Sequence, residues 1–124
     1  MKLVIVGPPR TKKNGSNIAF NPRTKRSFIA PDKVKAAYQK SAVEQLVSQM
    51  SALRLPSYYA PVHVRVTFYR EKNLGDLVNY MQMIADVLEK AGIVENDKWI
   101  MSWDGSRLDK DAANPRTELE VTAL

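Results

Sequence analysis

Acidic side chains gather in the second half of the chain, with Glu71, Asp76, Asp86, Glu89, Glu95 and Asp97 in its centre and Asp104, Asp109 and Asp111 further on. Carboxylates that converge can hold a hard divalent cation, which activates water and neutralises the leaving oxygen when a phosphodiester is hydrolysed near neutral pH. Asp76, Asn79 and Asp86 are spaced to fall within about a quarter turn of one another on the polar face of a helix. At about 1.5 Å rise per residue, however, Asp76 and Asp86 stand roughly 15 Å apart and cannot ligate one ion directly. A partner for Asp76 must come from elsewhere: Asp97, returning toward a sheet after a reversal permitted by Gly92, or Glu95. A plainer reading stands beside this one, in which Asp76 caps the start of the helix and satisfies free backbone amides.

Basic residues supply the second ingredient. The stretch Arg10-Thr11-Lys12-Lys13-Asn14-Gly15 is a basic loop, and Arg70 and Lys72 lie just before Asp76. The chain holds 19 Lys and Arg against 13 Asp and Glu, a net charge of +6, which favours phosphate-rich partners and nucleic acid first among them. The loop lacks the Gly-Lys-Ser/Thr ending of a nucleotide-binding phosphate loop, which excludes an NTPase of that type. His63, the single histidine, sits among the polar-facing positions of a strand, where a structural or surface role is expected. With no cysteine, disulfides and thiolate metal sites are excluded. No apolar segment resembles a signal peptide or approaches the ~20 residues that span a bilayer, so no membrane partner and a cytoplasmic location are expected.

The elements that must position these groups follow from periodicity. Residues 2–6 read as a buried strand stopped by Gly7-Pro8-Pro9, and residues 17–20 and 26–29 as a hairpin around Asn21-Pro22-Arg23-Thr24. Pro31 opens a helix whose stripe is Val34, Tyr38, Ala42, Leu46, Met50 and Leu53, with a solvated face of Lys33, Lys35, Gln39, Lys40 and Glu44, and Pro56 ends it. Val62, Val64, Val66 and Phe68 alternate with His63, Arg65, Thr67 and Tyr69 as in a half-buried strand. A second helix carries Leu77, Tyr80, Met81, Ile84, Val87, Leu88 and Ala91 on one side and stops at Gly92. Trp99, Met101 and Trp103 fall on one face of an extended segment, as core or dimer contacts, and Asp104-Gly105 turns the chain. Leu119 and Val121 alternate with Glu118 and Glu120 in a last strand introduced by Asn114-Pro115. The expected architecture is α/β (α+β): one domain over residues 1–124, with a mixed sheet against two main helices.

The segment Gly75-Asp76-Leu77-Val78-Asn79, with Asp86-Val87-Leu88, Lys90-Ala91-Gly92-Ile93 and Asn96-Asp97, resembles the signature of RusA-type Holliday junction resolvases. Gly7-Pro8-Pro9 with Lys12-Lys13-Asn14 is similar to that family's first strand and loop, and Asn114-Pro115-Arg116 to the start of its last strand, so nearly the whole chain is covered. The resemblance implies a homodimeric endonuclease, dependent on magnesium or manganese and typical of phages or prophages, that cuts paired strands of a four-way junction. It matches Asp76 to the first catalytic Asp and Asp97 to the last, as metal ligands. Arg10, Lys12, Lys13, Asn14, Arg70, Lys72 and Asn79 are the expected DNA contacts.

The sequence departs from that signature at three positions. Its second Asp is Val78 here, its catalytic Lys is Gln82, and the first acid of Asp-Asp is Asn96. An apolar Val cannot bind a metal. Either another acid, Glu95, Asp86 or Asp104, completes the site, or the chain is a catalytically impaired module that still binds branched DNA. A third alternative is an interaction subunit joined through its tryptophan face and helix stripes.

Overall fold

The computed structural model describes residues 1–12, 17–30 and 33–124. Lys13, Asn14 and Pro31, singled out above, lie outside the described residues.

Among the described residues seven strands and two helices form in the order β1 (Lys2–Val6), β2 (Asn17–Asn21), β3 (Arg26–Ala30), α1 (Lys33–Leu53), β4 (Val62–Arg70), α2 (Leu77–Lys90), β5 (Ile100–Ser102), β6 (Arg107–Lys110) and β7 (Arg116–Ala123), with a 3-10 turn at Asp97–Trp99 before β5. Five strands make a mixed sheet in the order β1-β7-β4-β5, with β6 on the same side of β4 as β5. β7 runs antiparallel to both β1 and β4, whereas β5 and β6 run parallel to β4. β2 and β3 pair as the separate hairpin expected, and the Asn21 side chain accepts the Arg23 amide across its turn (2.9 Å). The expected mixed sheet with two main helices is therefore the fold.

Alternation does the packing. Val62, Val64, Val66 and Phe68 of β4, Leu119 and Val121 of β7, and Leu3 and Ile5 of β1 are buried on one face of the sheet. Against them pack Ala42 and Leu46 of α1 and Tyr80, Met83, Ile84, Val87 and Leu88 of α2. Burying a side chain of this size contributes about 1.5 to 3 kcal/mol, which makes this cluster the main source of stability.

Four expectations about elements are corrected. β1 is half-buried, with Val6 66% exposed, because it is an edge strand with only its Leu3–Ile5 face on the core. The α1 stripe is fully buried at Ala42 and Leu46, packs half-buried against the core at Tyr38 and Met50, and is exposed at its ends, Val34 and Leu53. α1 stops at Leu53, before Pro56: Arg54 takes a left-handed conformation (φ 52°) and the Leu55 amide closes back on the Met50 carbonyl, a capping turn that needs no proline. The solvated face of α1 holds at Lys33, Lys40 and Glu44, which are exposed, but not at Lys35, whose Nζ donates to Thr11 Oγ1 (3.1 Å), or at Gln39, whose Oε1 accepts from Lys90 Nζ (3.0 Å).

The free edge of β1 is closed by side chains. Gln49 accepts the Val4 amide (2.9 Å) and donates to the Val4 carbonyl (2.7 Å), and Gln45 does the same for Val6 (2.8 and 3.1 Å). Glutamines four apart on a helix rise about 6 Å, close to the roughly 6.6 Å between alternate residues of a strand, so two amides imitate a paired strand.

Candidate nucleic-acid site

Three chain segments meet at the carboxyl end of β4. β1 exits there, because the Gly7 amide bonds the Pro115 carbonyl (3.1 Å) and Tyr69 is opposite Arg116 in the β4–β7 register. The loop after β1 then lies along α2: the Lys12 amide donates to the Asn79 carbonyl (3.1 Å), and Lys12 Nζ pairs with Asp86 (2.5 Å). The link from β4 to α2 turns at Gly75, whose φ of +85° disfavours any side chain. A Cβ there would also fall 2.9 Å from Thr11 Cγ2 and 3.2 Å from Tyr80 Cε2, so glycine lets the basic loop press against the start of α2. Arg10, Lys12, Arg70, Lys72, Asp76 and Asn79 are thereby gathered around one helix N-terminus, although sequence separates them by up to 69 positions.

Asp76 occupies the N-cap position of α2, but its side chain makes no cap hydrogen bond. The capping reading holds for the backbone only, and the exposed carboxylate makes no hydrogen bond or ion pair with another side chain among the described residues. Val78, in the first turn, is 57% exposed.

Asp97 lies elsewhere. Its amide donates to Glu89 Oε1 (3.3 Å), which fastens it beside the last turn of α2. Thirteen residues of helix between Asp76 and Glu89 span about 20 Å. β4 agrees: Asp76 follows its end, while Ile100, three residues past Asp97, pairs with Val62 at its start, eight residue steps or about 26 Å away. The expectation that Asp97 returns toward Asp76 is corrected. The reversal at Gly92 does bring the chain back to the sheet, but to the far end of β4.

The other acids are also dispersed. Glu95 accepts the indole N–H of Trp99 (2.8 Å), Asp86 is taken by Lys12, and Asp104 sits exposed in the turn between β5 and β6, next to Gly105, which lies over Arg65. Among the described residues no group of three acidic or histidine side chains is placed to hold a metal. The donors suit a hard cation chemically, but their placement within one chain does not fit one.

The expected tryptophan face holds at Trp103, which packs against the core, and is corrected at Met101, which is exposed. The 3-10 turn shifts the phase, so Ile100 and Trp103 pack against the core, Met101 is 63% exposed, and Trp99 is fastened locally by Glu95 and lies under Lys98 Nζ (5.0 Å). His63 bonds Ser102 across β4 and β5 (2.8 Å), a structural role as expected.

Two features escaped the sequence reading. Arg116 bridges Asp111 (2.8 Å) and Glu118 (2.9 Å) and stacks over Tyr69 (3.8 Å), fixing the start of β7, and its hydrogen bond holds the Asp111 carboxyl below its ordinary range. Tyr38 is pushed up to about 12 by burial, with its hydroxyl 3.4 Å from Thr117 Oγ1. Asp111 and Glu118 lie five and two positions from Arg116, but its stacking on Tyr69 and the burial of Tyr38 carry no local sequence signal, since they depend on contacts between distant elements.

Among the described residues no helix is long and apolar enough to cross a membrane. A search of curated proteins found none that matches. Over residues 7–122 the sequence matches the protein family described as Endodeoxyribonuclease RusA, a span that takes in the β1 exit loop, all of α2 and the last strand. The chain belongs to the RusA endodeoxyribonuclease family.

Proposed function

We propose that this chain is a structure-selective endodeoxyribonuclease acting on Holliday junctions or other branched DNA in recombination and repair, in a bacterial or phage-infected cytoplasm. The convergence of Asp76 with Arg10, Lys12, Arg70, Lys72 and Asn79 carries the proposal, because it sets a carboxylate that is unpaired among the described residues close to cations that can contact phosphate.

Asp76 and Asp97 cannot meet within one chain, so we propose a homodimer in which one copy's Asp97 is brought to the other's Asp76. Magnesium or manganese would be the cofactor of that composite site, where it supplies charge neutralisation and an activated water. A two-fold dimer also suits a junction that presents equivalent strands. Each chain's own share is to anchor the backbone through its basic loop and to place Asp76 at the strand.

The test is cleavage of a labelled four-way junction with magnesium or manganese by the wild type, Asp76→Asn, Asp97→Asn, and the two variants mixed after subunit exchange. Paired cuts by the wild type, lost in each variant and partly regained in the mixture, are expected. A mixture that stays inactive defeats the composite site, and a junction left uncut by the wild type defeats the nuclease reading. A second reading, a branched-DNA-binding module without catalysis, is favoured by the exposed Val78 where the family signature has an acid. It requires binding that weakens steeply with salt and ignores metal.

A further inference from the structure

Beside Asp76 the surface folds into a cleft of about 260 Å³ lined by Pro8, Pro9, Arg10, Arg70, Glu71, Lys72, Leu74 and Tyr80. Three of these side chains are cationic and one is acidic. Such a cleft is too small for a duplex and lies below the usual range for whole small-molecule ligands, roughly 300 to 1,000 Å³.

The carbonyls of its β4–α2 wall are already engaged, and the Glu71 carboxylate is exposed at its rim. The Leu74 carbonyl takes the Tyr80 hydroxyl (2.5 Å) and Arg70 Nη1 (3.2 Å), the Gly75 carbonyl takes Arg70 Nη1 (3.3 Å), and the Lys72 carbonyl takes the Leu74 amide (2.9 Å). Donors are in surplus. Arg70 Nε is buried with no hydrogen-bond partner among the described residues, an arrangement that costs stability. Arg70 itself is immobilised by those two carbonyls and by the Tyr80 ring, 5.9 Å from its guanidinium carbon. Arg10 and Lys72 are exposed at the mouth. Pro8, Pro9 and Leu74, the last 66% exposed, give the remaining wall an apolar character that fits the deoxyribose attached to a phosphate.

We propose that this cleft is a discrete pocket for one backbone phosphate of a DNA strand, gripped by Arg10, Arg70 and Lys72 with its sugar against Pro8 and Pro9. Resting on the nuclease reading above, it assigns the cleft the anchoring of the strand presented to Asp76. A single seated phosphate fixes strand register, which diffuse surface charge does not.

The test measures binding of a 5′-phosphorylated thymidine dinucleotide to the full chain by calorimetry at fixed salt, with junction cleavage followed separately. Arg10→Met/Lys72→Met removes two exposed cations and leaves the packed Arg70 in place. Lys2→Met/Arg107→Met removes the same charge from the groove on the opposite sheet face. The expected result is binding weakened about tenfold or more in the first variant and little changed in the second, as for lost charge-assisted hydrogen bonds. Equal weakening in both, or no weakening in either, overturns the pocket. Dinucleotide binding lost only in the first variant, by a protein that cuts no junction, keeps the pocket and removes the nuclease reading. Junction cutting without that selective binding does the reverse.

Discussion

The two sides of α2 behave differently. The side toward the sheet is filled by Tyr80, Met83, Ile84, Val87 and Leu88, all buried, while the other side and the ends carry Asp76, Asn79, Gln82, Asp86 and Glu89. The buried side serves stability, and what is lost there is packing. The polar side contributes little to stability, and its acids are either fastened, as Asp86 is by Lys12, or without a partner among the described residues, as the Asp76 carboxylate is. A side chain that no intramolecular contact requires is one whose replacement separates function from folding.

The sharpest form of that contrast is Asp76→Asn. If Asp76 serves the reaction, cleavage of a four-way junction falls about 10³-fold, equivalent to about 4 kcal/mol. Stability should stay within about 0.5 kcal/mol, since no side-chain cap bond is lost and Asn caps as well as Asp. Denaturant unfolding beside a cleavage assay measures both, and a large loss of stability would break the contrast. Ile84→Ala is the converse on the same helix. Ile84 is fully buried, and the substitution should cost about 3 kcal/mol, within the usual 2 to 5 for such truncations, while junction affinity measured well below the unfolding midpoint is unchanged.

Tyr38 extends the comparison to α1. Its folded-state pKa is raised by burial to about 12 against an ordinary value near 10, so the folded protein holds a proton that the unfolded chain releases. Its contribution is therefore fully present below about pH 10 and is lost as pH rises toward 12, a change of about 2 to 3 kcal/mol at about 1.4 per pKa unit. Unfolding followed from pH 9 to 11.5 should show a loss in the wild type that is smaller in Tyr38→Phe. Parallel profiles would mean that the hydroxyl is solvated as an anion.

Local periodicity made much of the fold legible. Alternation from Val62 to Phe68 and the stripe from Leu77 to Leu88 are written in neighbouring residues, and Gly92, at φ +77°, stops α2 where its sequence position implies. Where periodicity breaks, the reading failed: one 3-10 turn at Asp97–Trp99 put Trp99 and Met101 out of phase with the core. The site was legible as a set of residue types and illegible as a place. That Arg10 and Lys72 share a cleft depends on β1 and β4 both pairing with β7, contacts between residues 110 to 118 positions apart for β1 and 47 to 61 for β4. The distance from Asp76 to Asp97 follows from helix length, but the end of β4 to which the chain returns is fixed by the pairing of Ile100 with Val62.

The smallest expected effect concerns Lys12, which belongs to both sides of the comparison. Its backbone is tied to Asn79 and its ammonium to Asp86, yet its side chain stays half exposed. As a partly exposed pair it contributes on the order of 1 kcal/mol, so Lys12→Met should alter stability only slightly. Asp86→Asn releases the ammonium toward phosphate and should strengthen junction binding, steepening the salt dependence by about one phosphate contact. The same substitution made in Lys12→Met should gain less, because only the general change in charge is left. Equal gains in the two backgrounds would make Lys12 a clamp between loop and helix, and the phosphate contacts would then rest on Arg10, Arg70 and Lys72.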